Sequence, residues 1–293
     1  MKNFGNEPGS RKRAIVLKED GERAMKTKAF AFYDSDAAVS DSPAPADIAD
    51  VSASNDVSRA RAFAAQVKTV IVSPAVGAKL KAAGDDMSRY VESHPLRAWG
   101  IVEKVRQYMA ANIPGDMTSM RIFWEMPKSY AKGRPSFASR LPEFIDLASY
   151  IAGVPAVSIQ LRKAGKNGVF GLVTLAGNIV AELTVNDMLP ESLAPVRFLH
   201  TYFTGGVVSN MPLYGYENDE GVLIADDRDS RHEVNEHMDW NGTDEIDDLY
   251  FRMIGLIFAG AYASPCTGAA ERYSGAVAEA LRSGESVAVG GAA

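Results

Sequence analysis

The stretch SRLPEFIDLASYIAGVPAVSI, residues 139–159, decides the fold of the second half of the chain. Four of its apolar residues are spaced at i, i+3, i+4 and i+7, which is typical of a helix with one buried face. These residues are Phe144, Leu147, Ala148 and Ile151. Gly153 follows the last of them and Pro155 comes soon after, so the helix is predicted to end there.

The residues after this helix predict a sheet, because apolar and polar side chains alternate in several short runs. The extended runs are residues 156–162, 169–175, 178–185, 196–203, 207–214 and 222–225. The turn Ala176-Gly177-Asn178 between two of them is typical of a hairpin. Two helices near 247–261 and 268–283 and a strand at 286–289 close the chain. We therefore predict an α+β domain over residues 116–293, with a large, mostly antiparallel sheet covered by helices on one face.

Residues 1–115 have a different pattern, in which short apolar runs alternate with predicted helices and one polar segment. Short apolar runs at 14–17 and 28–33 predict strands, and the β-branched run at 68–73 predicts another, stopped by Pro74. Helices are predicted at residues 57–66, 78–92 and 96–111. Residues 34–56 are almost entirely Asp, Ser, Ala and Pro, a composition that buries little apolar surface, so we expect a loop or mobile linker there.

Composition excludes several classes of protein. The net charge of −6 argues against a nucleic-acid partner, and the single Cys266 cannot form an intramolecular disulfide. A secretory signal needs an apolar run of about 7–15 residues near its start, but only residues 14–17 qualify. A bilayer span needs roughly 20 apolar residues. The most apolar window, residues 250–263, is shorter and contains Arg252. We expect a cytoplasmic protein without a membrane partner.

Taken in order, these segments resemble the Gfo/Idh/MocA oxidoreductase family. Residues 139–159 are similar to its D-x-G-x-H-x-x-D-L-x-x-x-L-x-G-x-P segment, and AAERYSGAVAEALRSGESVAV, residues 269–289, is similar to its closing helix and strand. VSRARAFAAQVKTVIVSPA, residues 57–75, resembles the end of its nucleotide domain, and residues 102–124 resemble the crossover into its sheet. The resemblance implies a shortened, degenerate Rossmann-like domain in residues 1–115, ahead of the sheet domain.

The resemblance also implies a nicotinamide cofactor, yet its binding motif is missing. A dinucleotide site needs glycines after a strand, because the backbone must approach the pyrophosphate at a helix N-terminus. Before Gly77 the only glycines are Gly5, Gly9 and Gly21, and they do not form G-x-G-x-x-G. The best match to the family's E-K-P motif, Asp41-Ser42-Pro43, has no amine. We therefore predict no cofactor, with NAD(P) bound only if the chain is a divergent enzyme.

The family's catalytic segment is also altered. Ser139 replaces the first aspartate, Leu141 the glycine and Glu143 the histidine that moves the proton, whereas Asp146 keeps the last aspartate. Glu143 is the candidate acid–base residue if burial raises its pKa. The alternative is a glutamate that interacts favourably with the helix dipole. The other candidates for a family-like substrate cleft are Trp124, Ser139, Arg140, Asp146 and His200.

No metal site is predicted. His232 and His237 are five residues apart, whereas a helical zinc pair needs a spacing of four. The aspartates of residues 226–248 lack the ordered spacing of a calcium-binding loop. Gly165, Gly168 and Gly171 fall between two strands, where a hairpin turn explains them.

The function predicted first is that of a non-catalytic relative, used for oligomerisation, for partner binding or as the companion of an active paralogue. The chain is then more a pseudoenzyme than an enzyme. A divergent NAD(P)-dependent oxidoreductase of a sugar or other hydroxyl or carbonyl compound is the alternative. A small-molecule binder or sensor that uses the old substrate cleft is a further one. The predicted partners are a second copy or a family paralogue, bound through the outer face of the large sheet.

Overall fold

The chain divides into two compact units. The computed structural model describes residues 15–18, 38–40, 48–52, 54–128, 137–193, 196–210, 222–226, 230–233, 246–258, 260–262 and 269–290. Unit 1 comprises Met1–Ser93 and Phe251–Gly268, and unit 2 comprises His94–Tyr250 and Ala269–Ala293. None of the helices in the described ranges is long and apolar enough to cross a membrane.

Unit 1 is built on a five-stranded parallel sheet. Its strands are β1 (Ile15–Lys18), β2 (Ala38–Ser40), β3 (Ile48–Asp50), β4 (Thr69–Val72) and β5 (Tyr90–Glu92), in the order β2-β1-β3-β4-β5. Helix α1 (Val57–Ala64) joins β3 to β4, and helix α2 (Pro74–Ala82) joins β4 to β5. This order is doubly wound, and in such sheets ligands bind outside the carboxyl ends of the strands where the order reverses, here β1 and β3.

Local side chains fix where the two helices of unit 1 begin. The Asp56 carboxylate accepts hydrogen bonds from the backbone N–H groups of Ser58 and Arg59, at 2.8 and 3.3 Å, and starts α1. The Ser73 hydroxyl accepts from the N–H of Val76 at 3.3 Å and starts α2. Each cap satisfies donors that have no partner within the helix.

Unit 2 is built on a nine-stranded sheet. Its strands are β6 (Met117–Pro127), β7 (Ala156–Lys163), β8 (Gly168–Leu175), β9 (Val180–Leu189), β10 (Val196–Phe203), β11 (Gly206–Ser209), β12 (Val222–Asp226), β13 (Ser230–Glu233) and β14 (Ser286–Ala288). The order is β13-β12-β11-β10-β6-β9-β8-β7-β14, and all neighbours are antiparallel except β6 and β9. The predicted α+β class is confirmed.

Helices cover one face of this sheet. They are α3 (Gly100–Ala110), α4 (Phe137–Ala152) and α6 (Ala269–Ser283), and their buried side chains join those of the sheet in one hydrophobic core. Helix α5 (Ile246–Phe258) contains the point at which the chain passes from unit 2 to unit 1. In β6 and β9 the side chains alternate between buried and less buried positions, so each strand has one core face and one outer face.

The structure corrects several sequence predictions about the first half of the chain. Residues 34–56 contain β2 and β3, and Ile48 and Ala49 are buried. The composition is polar, but a three-residue parallel strand needs few apolar side chains because its neighbours supply the rest of the core. The predicted helix at 78–92 is α2 followed by a 3₁₀ turn (Met87–Arg89) and β5. The predicted strand at 28–33 lies outside the described residues.

The hairpin prediction is confirmed at both places. Strands β7 and β8 pair in register around the turn that contains Gly165, whose φ is +69°. Strands β8 and β9 pair around Gly177, with φ of +78°, and Asn178, with φ of +63°. Glycine and asparagine tolerate these left-handed conformations better than other residues do.

Candidate functional site

Helix α4 presents three charged residues in consecutive turns. Arg140, Glu143 and Asp146 are three residues apart from one to the next, so their side chains lie along neighbouring parts of the helix surface. The apolar residues between them face the core, among them Leu141 and Phe144, which are almost fully buried. The predicted amphipathic helix is thus confirmed, and its packing holds the three charges in place.

Asp146 is held by two residues that the sequence did not single out. The guanidinium of Arg97, on the 3₁₀ turn Pro95–Ala98, donates from Nε at 2.9 Å and from a terminal nitrogen at 2.7 Å to the two carboxylate oxygens. His94 Nδ1 lies 3.4 Å from Asp146 Oδ2, at ion-pair distance. The His94 and Asp146 residues are each only 2% exposed. A two-point pair of this kind fixes geometry as well as charge.

Arg140 forms the second buried ion pair. Its terminal nitrogen donates to Asp187 Oδ2 at 2.5 Å, which joins the first turn of α4 to the carboxyl-terminal part of β9. Asp187 is 2% exposed. Asp187 Oδ1 is also buried, and it has no hydrogen-bond partner among the described residues.

Glu143 lies between these two pairs and is only half-buried. Burial raises the pKa of its carboxyl group, and the nearby Asp146 carboxylate acts in the same direction more weakly. The charges of His94 and Arg140 oppose the shift. A carboxyl group whose pKa is raised can both donate and accept a proton nearer to neutral pH. The sequence made a role for Glu143 depend on burial raising its pKa, and burial does shift the pKa upward.

Trp124 does not line a cleft. Its ring is fully buried in the core of unit 2, 5.6 Å from Trp99 and 5.5 Å from Phe144 between ring centroids, both in edge-on geometry. The Arg197 guanidinium lies 5.2 Å from its centroid. The prediction that Trp124 lines a cleft is wrong, because its ring packs against apolar side chains and none of it is exposed. Indole Nε1 has no hydrogen-bond partner within the described part of the chain.

His200 lies on the opposite face of the sheet from Trp124. It pairs across the β6–β10 ladder with Arg121, whereas Trp124 pairs with Arg197, and positions three apart in a strand face opposite ways. Its Nδ1 lies 2.9 Å from the Ser209 hydroxyl. Burial, and to a lesser extent the charge of Arg121, lowers the pKa of His200. The structure therefore does not bring His200 to the Glu143 site.

The remaining predicted positions divide in the same way. Arg140 and Asp146 flank Glu143, as expected for one site, but each is engaged in an ion pair. The side chain of Ser139 lies outside the described residues. The side chain of His232 is also outside them. The same holds for the whole of His237, the segment Asp41-Ser42-Pro43 and three glycines: Gly5, Gly9 and Gly21. Among the residues that are described, no group of three or more His, Cys, Asp or Glu is placed to hold a metal ion.

A sequence signal for His94 was available. The segment Glu92-Ser93-His94-Pro95 begins with the last residue of β5. It keeps the glutamate and the proline of E-K-P in order, with one residue more and a histidine before the proline. It matches the motif better than Asp41-Ser42-Pro43 does. Arg97 and Asp187 carried no comparable signal, because their partners are distant in the sequence.

Similarity to known proteins is found in structure and not in sequence. The sequence matches no protein-family model and no curated protein. Solved structures do match. Levoglucosan dehydrogenase in its apo form has a TM-score of 0.68 and 13% identity, over 96% of this chain and 100% of that one. The fold is that of the Gfo/Idh/MocA oxidoreductases.

Other structures with the Gfo/Idh/MocA fold agree. An oxidoreductase from Agrobacterium radiobacter, in complex with NAD+, L-tartaric acid and magnesium, has a TM-score of 0.67 and 11% identity, over 96% of this chain and 99% of that one. An NAD binding oxidoreductase from Klebsiella pneumoniae has a TM-score of 0.65 and 12% identity, over 96% and 100%. The resemblance predicted from the sequence is confirmed for the fold.

The Gfo/Idh/MocA fold implies a dinucleotide at the parallel sheet of unit 1, and the residues there fit it poorly. Asp50 ends β3, where a carboxylate can bind ribose hydroxyls, but its Oδ1 already accepts from the N–H and hydroxyl of Ser52 at 2.9 and 2.6 Å. In sequence, Glu19 and Asp20 follow β1, where an anionic pyrophosphate needs backbone N–H groups.

The space beside Gly77, on α2, is filled by a side chain of the protein itself. A Cβ added to Gly77 would meet Oε1 of the fully buried Glu92 at 2.6 Å. This glycine therefore makes room for a carboxylate of the protein itself, and it does not open the backbone to a phosphate. Glu19 and Asp20 follow β1 in sequence, and the described residues of unit 1 offer no open glycine cradle, so they do not fit a nicotinamide dinucleotide.

Proposed function

We propose that unit 2 binds a small hydroxyl- or carbonyl-bearing molecule at Glu143, and that Glu143 is the acid–base group of this site. On this proposal the chain is a divergent protein with an oxidoreductase fold. It binds its ligand at the position of the family's substrate site but does not bind the family's nicotinamide cofactor. The observation that supports the proposal is the state of Glu143, a half-buried carboxyl group of raised pKa between two ion pairs.

The chemistry of the site favours an uncharged ligand. Arg97 and Arg140 are each neutralised by a buried aspartate, so neither offers a free cation to a phosphate or carboxylate. A protonated Glu143 can donate a hydrogen bond to a carbonyl or hydroxyl oxygen, and the ionised form can accept one from a hydroxyl group. Perturbed carboxyl groups concentrate at functional sites, which is why we place the ligand here.

The test is ligand binding as a function of pH. A panel of sugars, polyols and hydroxyketones, including myo-inositol and levoglucosan, is screened by saturation-transfer NMR, and any binder is titrated by calorimetry. We expect binding to a carbonyl ligand to weaken as pH rises through the pKa of Glu143. The Glu143→Gln variant keeps a neutral donor and should lose that dependence.

The matched control is Glu103→Gln, which removes an exposed carboxylate from α3 of the same unit. It should bind as the wild type does. If no compound in the panel distinguishes wild type from Glu143→Gln, the proposed site is wrong.

The alternative, a divergent NAD(P)-dependent oxidoreductase, differs from this proposal only in that a cofactor binds. A divergent oxidoreductase would bind NAD(P) in an unusual way, with Asp50 at the ribose, and Glu143 would exchange the proton of the hydroxyl group. Its support is the fold, since one of the structures that match is a complex with NAD+. Appearance of reduced nicotinamide with any compound of the panel would favour this alternative over a binding protein.

A non-catalytic companion subunit is the second candidate, and the outer face of the nine-stranded sheet favours it. By outer face we mean the side away from α3, α4 and α6. On it Phe170 is 46% exposed, Leu172 41% and Tyr202 37%. Phe123 and Phe198 stack with 6.1 Å between centroids on the same face. Apolar exposure of this kind marks interaction surfaces, so we propose that a second copy or a paralogue binds there.

A further inference from the structure

Asp187 has one carboxylate oxygen that the described residues leave without a hydrogen bond. Its Oδ2 accepts from Arg140 at 2.5 Å. Its Oδ1 is buried and accepts from none of them, and the residue as a whole is only 2% exposed. Buried polar atoms almost always have a partner, because a carboxylate oxygen that loses its water without a replacement is costly. The Oδ1 atom therefore needs a donor that the described part of the chain does not supply.

The sheet fixes the position of Asp187 beneath α4. Asp187 and Val185 are both buried and are two residues apart, so they lie on the same face of β9, the face that α4 covers. The backbone N–H of Asp187 donates to the carbonyl oxygen of Asn167 at 2.9 Å. The side chain of the preceding Asn186 donates to Glu125 on the neighbouring strand β6. A group on a rigid strand of this kind is well suited to select a ligand.

We propose that Asp187 recognises a hydroxyl group of the ligand and so determines specificity, while Glu143 contacts a second oxygen. The ligand hydroxyl donates its hydrogen to Asp187 Oδ1, and Arg140 stays on the other carboxylate oxygen. The interaction is a hydrogen bond, and no covalent bond forms or breaks. This inference deepens the proposed function and rests on it for the contact at Glu143.

Arg140 connects the two positions. It bonds to Asp187, and it lies three residues before Glu143 on α4. Residues at this spacing are neighbours on a helix, with about 5–6 Å between their Cβ atoms. Glu143 is half-buried, so the ligand reaches the site from its side. We therefore expect a ligand with two oxygens on one small ring or chain.

The chemistry of a carboxylate limits what can bind at Oδ1. A carboxylate only accepts hydrogen bonds, so the ligand group there has to be a donor. A ketone oxygen would be a second acceptor and would leave Oδ1 unpaired. Sites built to bond a hydroxyl group reject analogues that lack it, because the buried polar atom then has no partner. Asp187 should therefore exclude ligands without a hydroxyl group.

The test compares cyclohexanone with the three ring isomers of hydroxycyclohexanone, each of which adds one hydroxyl group. In calorimetric titrations of the wild type, at least one isomer should bind about tenfold tighter than cyclohexanone, as expected for a hydrogen bond to a charged group. Equal affinities for the four compounds would overturn the proposal, and so would a lack of binding by every isomer. Asp116→Asn, which removes an exposed carboxylate of unit 2, is the matched control and should keep the preference.

The variants have to remove the carboxylate without leaving a buried charge behind. Replacing both partners of a buried ion pair by apolar residues is tolerated far better than removing one. The double variant Arg140→Met with Asp187→Leu should therefore fold and lose the preference for a hydroxyl group. Arg140→Gln with Asp187→Asn keeps an acceptor oxygen at this position and should recover part of the preference. A full preference in the first double variant would contradict the role of Asp187.

A crystal structure of the wild type, soaked with the preferred isomer, tests the contact without any variant. The ligand hydroxyl oxygen should lie about 2.7 Å from Asp187 Oδ1, the usual O–H···O distance. Binding at crystal concentration only, with the ring elsewhere on the protein, would overturn the proposal. A water molecule alone at Oδ1 would do the same.

Glu143→Gln separates this inference from the proposed function. If all four compounds bind equally and Glu143→Gln changes their binding, the site at Glu143 stands and the role of Asp187 fails. If the preference depends on Asp187 and Glu143→Gln has no effect, the role of Asp187 stands and the proposed acid–base group fails.

Discussion

Arg97 and Asp146 are 49 residues apart in the chain, and they form a two-point ion pair inside unit 2. The pair joins the 3₁₀ turn that precedes α3 to the middle of α4, and it places His94 beside the same carboxylate. Its side chains are 9% and 3% exposed, so neither charge can turn to water if the other is removed. Two consequences can be measured around this site, a third at the parallel sheet of unit 1 and a fourth at the outer face of unit 2.

Asp146→Asn should destabilise unit 2 strongly. It leaves the buried Arg97 without its counter-charge, and breaking a buried pair by removing one partner costs about 3–5 kcal/mol. Chemical denaturation followed by tryptophan fluorescence measures this, because Trp99 and Trp124 lie in the core of unit 2. Glu279→Gln breaks an exposed pair with Arg282 in the same unit and should change the unfolding free energy very little. Equal effects of the two variants would contradict the prediction.

Glu143→Gln should stabilise the protein at neutral pH and make almost no difference in acid. The folded state raises the pKa of Glu143, so in the pH range between the ordinary glutamate pKa and the raised one the folded state binds more protons than the unfolded state. The stability linked to this proton is complete below the ordinary pKa and is lost as pH rises through the raised one. Glutamine does not titrate, and the variant should escape that loss. Thermal unfolding of both proteins from pH 4 to pH 8, with Glu103→Gln as the control, measures the difference.

NAD(H) and NADP(H) should not bind with ordinary affinity. The reasons are the acidic residues after β1, the engagement of Asp50 by Ser52, and the Glu92 carboxylate against Gly77. A ligand at a hundredfold excess over its Kd stabilises the native state by about 2.7 kcal/mol. Thermal shift at millimolar cofactor, with a glycine-motif dehydrogenase as the positive control, should show no rise of that size. A reproducible rise would restore the redox alternative.

Phe170→Lys should weaken self-association if the outer face binds a second copy. The side chain lies in the row Phe198, Phe123, Thr184 and Phe170, which runs across four neighbouring strands. Light scattering after size exclusion should give a multiple of the 31.5 kDa chain mass for the wild type and a smaller mass for the variant. Ile113→Lys is the control, since Ile113 is also exposed but belongs to the turn after α3. A wild type that is monomeric at micromolar concentration, with no partner recovered, would exclude this interface.

Much of unit 2 could be predicted from the sequence because its elements are long and regular. Helix α4 shows a 3.6-residue period over its apolar positions, and burial along β9 alternates from Val180 to Met188. In elements of this length many side chains report the same periodicity, and one irregular residue does not hide it. The predicted helix therefore placed Glu143 correctly, between Arg140 and Asp146 on α4.

The rest depended on information that is not local. Strands β2 and β3 have three residues each, too few to show a period, and they are stabilised by parallel neighbours. That Trp124 and His200 face opposite ways is set by the register of β6 against β10, since a shift of one residue would exchange the faces. His94 stands in a segment that resembles the E-K-P motif, but only the fold brings it to Asp146.

The division of the chain into units also has a kinetic consequence. Unit 1 is completed only by Phe251–Gly268, and unit 2 only by Ala269–Ala293, which contributes α6 and the edge strand β14. Domains usually fold as they leave the ribosome, the N-terminal one first. Here the strands of unit 1 must wait for a segment made after most of unit 2, so neither unit can finish before nearly the whole chain has been translated. During synthesis, the nascent strands of both units are exposed together, and chaperones that shield strand edges should matter more for this chain than for one whose units are consecutive.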